Sequence, residues 1–346
     1  MPGDAPATVA DVAHWYRDPV SCLQSTLAAV LIHAGRDPLA ALGSGWEFRH
    51  VPGDVRPQEY YWPCRVPGDL AASVLPHTEV TSRWHALGPD SVTHWRETLE
   101  AGRLPVIAVD NYHLPFRPAY RDVHAAHLLV LFDVQPDAGT VRVSDAMPPA
   151  FKGTLRLEEL LRAAGSDLPV DHQDRFFSGG SADARWLDVR LGAAEPPLTR
   201  GRLRAVLRRN LRDFTRDGTG PAGHWTGTPG LHRYRDLLVH AVHTADVATI
   251  GETYTFGWSQ QAQAALHGEL LRRTGARWRL PRLSEAGRRV EQVAHRWTAV
   301  RVDTAHRSTS PHGPGERPER LVRHIDRLVQ AYDDALAAVA DALEDL

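Results

Sequence analysis

His127-Leu-Leu-Val-Leu-Phe-Asp-Val-Gln-Pro-Asp-Ala-Gly-Thr-Val-Arg-Val-Ser-Asp145 reads as two β-prone runs around a turn. Leu128 to Val134 is a short apolar run, Val141 to Ser144 alternates like its partner, and Gln135 to Gly139 supplies the Pro, Asp and Gly of a turn. An antiparallel hairpin is the economical reading. The midpoint of positions 127 and 145 is 136, inside that turn. His127 and Asp145 are therefore expected near the same open end, on neighbouring strands, within side-chain reach. A slip of one residue would turn one of them to the opposite face.

About a hundred residues upstream, Leu23, Leu27, Val30, Leu31 and Ala34 recur at helical spacing and Gly35 stops the run, which predicts a helix from about Pro19 to Ala34. Cys22 falls in its first turn. Asp18 followed by Pro19, or Ser21 followed by Cys22, would each make a good start. Pro105 to Val109 reads as a further buried strand, ending in Asp110 and Asn111.

A thiol attacks as its thiolate, so a nucleophilic cysteine is served by a helix N-terminus and by an adjacent imidazole that accepts its proton. Cys22 has the helix start, His127 is the candidate base, and Asp145 would hold the imidazole through its other ring nitrogen. The Cys22 backbone N–H, unpaired in a first turn, is a candidate oxyanion donor. His124 rivals His127 for the base. Each residue alone has an ordinary reading: a small buried hydrophobe, a residue before a strand, a turn former before Met147-Pro148-Pro149. A metal held by His124, His127 and Asp145 would leave Cys22 unexplained. Their joint occurrence, thiol on an early helix and then His and Asp on a hairpin, favours cysteine-based acyl transfer.

The chain's 346 residues are long for one domain. A shift to helical periodicity near residues 193 to 201 divides them into an α+β part, 1–192, and an all-helical part, 193–346. Stripes at Leu203/Leu207/Leu211/Phe214, Leu237/Leu238/Val242, Ala264–Leu271, Val290–Val300 and from Leu321 onward mark the helices. The Ser-, Thr-, Pro- and Gly-rich stretch 303–319 reads as a mobile loop.

A formal net charge of -2 gives no reason to expect nucleic acid as the partner. No apolar run of membrane-spanning length occurs, and Met1-Pro2-Gly3-Asp4 lacks the features of a secretory signal, so no membrane is expected and the expected location is cytoplasmic. Two cysteines, Cys22 and Cys64, are too few for a disulfide scaffold. Lys152 is the only lysine, which disfavours Schiff-base chemistry.

Three other clusters stand out. His240, His243 and Asp246 share roughly one helix face, where a polar surface is a better reading than a metal site. Arginines 200, 202, 204, 208, 209, 212 and 216 form a basic run that is usually a solvated face. Trp46, Tyr60, Tyr61, Trp62 and Cys64 would line a pocket or cover a long loop equally well.

The stretch Asp110-Asn111-Tyr112-His113-Leu114-Pro115-Phe116, with Tyr120, His124, His127 to Asp133 and Val143-Ser144-Asp145, resembles the N-terminal domain of the butirosin-biosynthesis acyltransferase H family. The Ser21-Cys22 helix start followed by Gly35 fits as well. That family is similar in fold and triad to papain-like cysteine peptidases, including the bacteriocin-leader peptidases. The resemblance implies a papain-like domain followed by a helical one, with Cys22, His127 and Asp145 as the triad. It implies transfer of an acyl or aminoacyl group from the phosphopantetheine thioester of an acyl or peptidyl carrier protein to a small-molecule amine, forming an amide in natural product biosynthesis. The arginine run would then be a surface for the carrier protein or its phosphate. No cofactor is required, because the thioester carries the activation. One departure stands out: where papain-like peptidases have an oxyanion-donating glutamine six residues before the cysteine, this chain has Tyr16. Gln24 and Asn111 are the alternative amides. The departure weakens a peptidase reading more than a transferase one.

Overall fold

The computed structural model describes residues 9, 11–51, 74, 77–174, 176–179, 184–193, 197–216, 223–309 and 318–346. Helix α1 spans Cys22–His33 and is buried from Cys22 to Leu31. Its start is decided by a reciprocal cap: Ser21 Oγ accepts the Gln24 N–H at 3.3 Å, and Gln24 Oε1 accepts the Ser21 N–H at 3.0 Å. Ser21, not Asp18, is thus the cap, and Cys22 is the first helical residue. A short helix α2, Pro38–Leu42, and a two-residue strand β1, Arg49–His50, follow.

The strands β2 (Val80–Ala86), β3 (Val106–Asp110), β4 (Ala126–Gln135), β5 (Thr140–Asp145), β6 (Phe151–Arg156) and β7 (Arg185–Leu191) form one sheet in the order β2-β7-β3-β4-β5-β6. Every pairing is antiparallel. All of β3 and His127 to Val134 of β4 are buried, as central strands covered on both faces must be. Helix α1 packs on β4, and α3 (Ser91–Glu100) and α4 (Leu157–Ala164) cover further parts of the sheet.

The β4–β5 hairpin turns through residues 136–138 and Gly139, whose φ of +61° lies in the left-handed region that favours glycine. Its ladder runs Gln135↔Thr140, Val134↔Val141 and Asp133↔Arg142, then slips at Phe132 to Leu131↔Val143 and Val130↔Ser144. Extended one step, Asp145 lies opposite Leu129. His127 is thus its diagonal neighbour on the same face.

The second half holds α5 (Arg200–Thr215), α6 (Gly227–Thr244), α7 (Val247–Trp278), α8 (Pro281–Thr309) and α9 (Pro318–Ala342). It is not purely helical: β8, Trp225–Thr226, pairs antiparallel with β1. The α7–α8 hairpin is closely packed at glycines. A Cβ on Gly287 would lie 2.5 Å from Arg272 N, and one on Gly268 would lie 2.8 Å from Gly287 O.

The mobile loop read at 303–319 is corrected over its first part, because α8 continues to Thr309. Polar composition is tolerated there because Arg307 pairs with buried Asp303 at 3.4 Å and the Thr304 hydroxyl donates to Arg301 O at 2.9 Å. Residues 310–317 lie outside the described residues, as do Tyr60, Tyr61, Trp62 and Cys64.

Two apolar cores form, and each borrows from the other half. Leu266 and Leu270 of α7 belong to the sheet core, whereas Trp46 and Phe48 belong to the helical one with Phe214, Tyr234, Trp297 and Tyr332. Trp46 lies 4.7 Å from Phe214 and 6.0 Å from Tyr332, centroid to centroid. Among the described residues, no helix is long and apolar enough to cross a membrane.

Candidate active site

The cap that starts α1 sets Cys22 at its N-terminus, where the first-turn amides have no helical carbonyl to bond. Against it stands the open end of the β4–β5 hairpin. His127 Nε2 bonds Asp145 Oδ2 at 2.7 Å, and the Cys22 side chain hydrogen-bonds the same imidazole. With Nε2–H donating to the carboxylate, Nδ1 is the nitrogen left for the thiol. The structure therefore brings together all three residues that the sequence singles out.

Burial of the His127 ring disfavours its charge. The Asp145 carboxylate and its hydrogen bond, joined by Cys22, outweigh that and hold the imidazole up at about 9. Burial likewise works to raise Asp145, yet His127, Arg117 and the Met147 N–H together hold its carboxyl below the usual range. Arg117 Nη1 reaches Asp145 Oδ2 at 3.2 Å and Met147 O at 3.1 Å, and the Met147 N–H donates to Asp145 Oδ1 at 2.9 Å. The acid is thus fixed from three directions. Sequence reasoning missed Arg117, which arrives from a loop with no periodic signal.

His124 is fastened elsewhere. Its Nδ1 meets Asp110 Oδ2 at 2.6 Å, and Tyr112 stacks on its ring at 4.0 Å. Asp110 also accepts from Ser166 Oγ at 2.7 Å and from the N–H groups of Tyr112 and Ala125 at 3.0 and 3.2 Å. In the β3–β4 register Asp110 pairs with Ala126 and Val109 with His127, so alternation sends Asp110 to the opposite face from His127. His124 has its own acid, and His127 alone of the two shares a bond with Cys22.

Of the amides weighed as oxyanion donors, Gln24 has its Oε1 in the helix cap. Asn111 follows β3, with its Oδ1 buried and unbonded among the described residues. Tyr16 packs partly buried against the sheet core.

Two aromatic residues bond to backbone flanking Cys22 and His127 from parts of the chain where no motif announces them. The Trp258 indole N–H of α7 donates to Pro19 O at 2.7 Å, three residues before Cys22. Phe177 O accepts the Ala126 N–H at 3.0 Å, one residue before His127. Their rings meet at 5.2 Å. Behind them Arg301 lies over Tyr254 and Trp258, at 4.5 and 5.3 Å from the ring centroids. Burial pushes its guanidinium down to about 10, which leaves it charged at neutral pH.

The other candidate clusters have local tasks. Asp246 caps α7 through the Thr249 N–H at 3.2 Å, and His243 Nδ1 bonds Val239 O at 2.7 Å. Among the described residues, no group of three or more His, Cys, Asp or Glu side chains could hold a metal ion. The arginine run lies on α5, whose Leu203, Val206, Leu207 and Phe214 are buried.

No curated protein matches the chain. Residues 21–146 match the family model described as Butirosin biosynthesis protein H, N-terminal, a span that holds Cys22, His127 and Asp145. Over that span the chain is similar to the N-terminal domain of butirosin biosynthesis protein H.

Proposed function

We propose that the protein is a cysteine-dependent acyltransferase of natural product biosynthesis, with a papain-like catalytic part over 1–192 and a helical part over 193–346. The observation that carries this reading is the shared imidazole: His127 is hydrogen-bonded both to Cys22, at the head of a capped helix, and to Asp145. In this reading the Cys22 thiolate attacks the carbonyl carbon of a carrier-bound thioester while His127 is imidazolium. The C–S bond to the pantetheine breaks, and its sulfur takes the proton from His127. An amine then attacks the acyl-enzyme, its proton passes to the imidazole, and the C–S bond to Cys22 breaks as the amide forms. Asp145 stabilises the imidazolium at each stage, and the Cys22 backbone N–H serves the oxyanion. The donor is an acyl or peptidyl carrier protein and the acceptor a small-molecule amine.

The test is intact-mass analysis after incubation with a panel of acyl-pantetheine thioesters. A mass gain equal to the acyl group is expected in the wild type and absent in Cys22→Ala. No Cys22-dependent adduct from any thioester would overturn the reading. A hydrolase would use the same three groups with water as acceptor, and it is separated by the ratio of amide to free acid when a panel of amines is added.

A further inference from the structure

Arg301 belongs to α8, yet its guanidinium lies on a face of α7. Gly257 lets it cross, since a Cβ there would lie 2.8 Å from Arg301 Cγ. Beyond that notch it meets Tyr254, Trp258 and Gln261, which follow one another at single-turn spacing along α7. The same face of α7 reaches the surroundings of the thiol. Trp258 bonds Pro19 O, three residues before Cys22, and Phe176 and Phe177 rest on Tyr254 and Trp258 at 4.3 and 5.2 Å. Three residues advance an extended chain by at most about 11 Å, so a single extended small molecule can span guanidinium and thiol.

The charge is fixed in place without being neutralised. Arg301 Nε donates to Tyr254 O at 2.9 Å and Nη1 donates to Gln261 Oε1 at 2.6 Å, both uncharged acceptors. No carboxylate among the described residues pairs with it, and burial is the main influence on its titration. Other part-buried arginines differ in this respect: Arg17 holds Glu269, Arg103 holds Asp188 and Arg117 holds Asp145, at 3.0, 2.9 and 3.2 Å. A cation drawn out of water without a counter-ion is costly, and the faces of Tyr254 and Trp258 offset only part of that cost. Arg301 is half-buried rather than sealed, and its Nη2 makes no hydrogen bond among the described residues. An in-plane edge of the guanidinium therefore still has donors to offer.

We infer that Arg301 is a specificity-determining residue that pairs with a carboxylate on the substrate, at the end of the molecule remote from the bond that reacts at Cys22. One positive charge matches the one negative charge of a carboxylate, and a guanidinium edge matches its two oxygens. Tyr254 and Trp258 would pack against the apolar stretch between the two ends. The inference rests on the acyl-transfer reading for which molecule carries the carboxylate, the acyl donor or the amine acceptor. Binding itself requires no reaction at Cys22.

The experiment is calorimetric titration of the full-length Cys22→Ala protein, in which no acyl-enzyme can form, with matched acids and amides. The donor arm uses adipoyl- and suberoyl-pantetheine against their terminal carboxamides, and the acceptor arm uses β-alanine against β-alaninamide. In at least one arm the acid is expected to bind at least about tenfold tighter than the amide. That preference should vanish when Arg301→Gln is added, shrink with Arg301→Lys, and persist with Arg296→Gln, an exposed arginine of the same helix. Thermal melts show which variants are folded, and Arg301→Lys serves if Arg301→Gln is not. The inference is overturned if acid and amide bind alike in both arms, or if neither binds below about 5 mM. A preference left unchanged by both Arg301 variants, or lost equally in Arg296→Gln, overturns it as well. An acid preference without any Cys22 adduct in the intact-mass test would keep Arg301 as a carboxylate site and overturn acyl transfer; an adduct without the preference would do the reverse.

Discussion

Replacing Asp145 by Asn removes one charge from a buried pair while keeping its shape, and the consequence can be worked through. In the wild type His127 is lifted from 6.5 to about 9 against the opposition of its own burial, chiefly by Asp145. At ~1.36 kcal/mol per unit, that lift corresponds to about 3 kcal/mol of preference for the protonated folded state. A raised folded-state pKa contributes stability that is complete below 6.5 and is lost as the pH climbs towards about 9. In Asp145→Asn, burial is left as the dominant influence and the imidazole should titrate below 6.5. The direct assay is a histidine NMR titration, with His127 assigned among the 19 histidines by its disappearance in His127→Gln. Urea denaturation at pH 6 and pH 9.5 supplies the energetic half. The wild type should lose about 3 kcal/mol more than Asp145→Asn over that interval. A His127 midpoint at or below 6.5 in the wild type, or the same midpoint in both proteins, would refute the reasoning.

Ser21→Ala should cost about 1 kcal/mol in urea denaturation, since the Gln24 N–H then loses its acceptor, and an unchanged midpoint would deny the cap its role. Gly287→Ala should destabilise by roughly 2 kcal/mol, because the new Cβ meets α7 backbone that cannot move aside cheaply; the thermal midpoint reads this. Tyr332→Phe strips the buried Trp297 indole N–H of its partner at 3.0 Å and should cost about 1 to 3 kcal/mol by denaturant titration.

How far the fold could be read in advance is shown by the hairpin. Its two apolar runs and its Pro-Asp-Ala-Gly turn were legible because strand pairing and turn formation are local. The midpoint arithmetic assumed a ladder centred on residue 136, but the ladder starts at Gln135↔Thr140, and on that register Asp145 would stand opposite Val130 and face away from His127. The slip at Phe132 moves Asp145 opposite Leu129 and returns it to the face of His127. The choice between the two helix starts needed the Gln24 side chain to fold back on Ser21, a contact that no periodicity encodes. Arg117 and Trp258 were invisible for a plainer reason. One arrives from a loop and the other from 239 residues away in sequence, and only the assembled tertiary structure brings them to the neighbourhood of Cys22, His127 and Asp145.

The exchange of side chains between the two cores bears on how such a chain could be rebuilt. Because Trp46 and Phe48 complete the helical core, and Leu266 and Leu270 the sheet core, a cut at 193 would leave both pieces with holes and exposed aromatic surface. Neither piece would be a transplantable module. A chimera that imports a foreign helical half should fold only if residues 44–50 travel with it, so the unit of exchange is a discontinuous one that no single crossover in the gene can deliver.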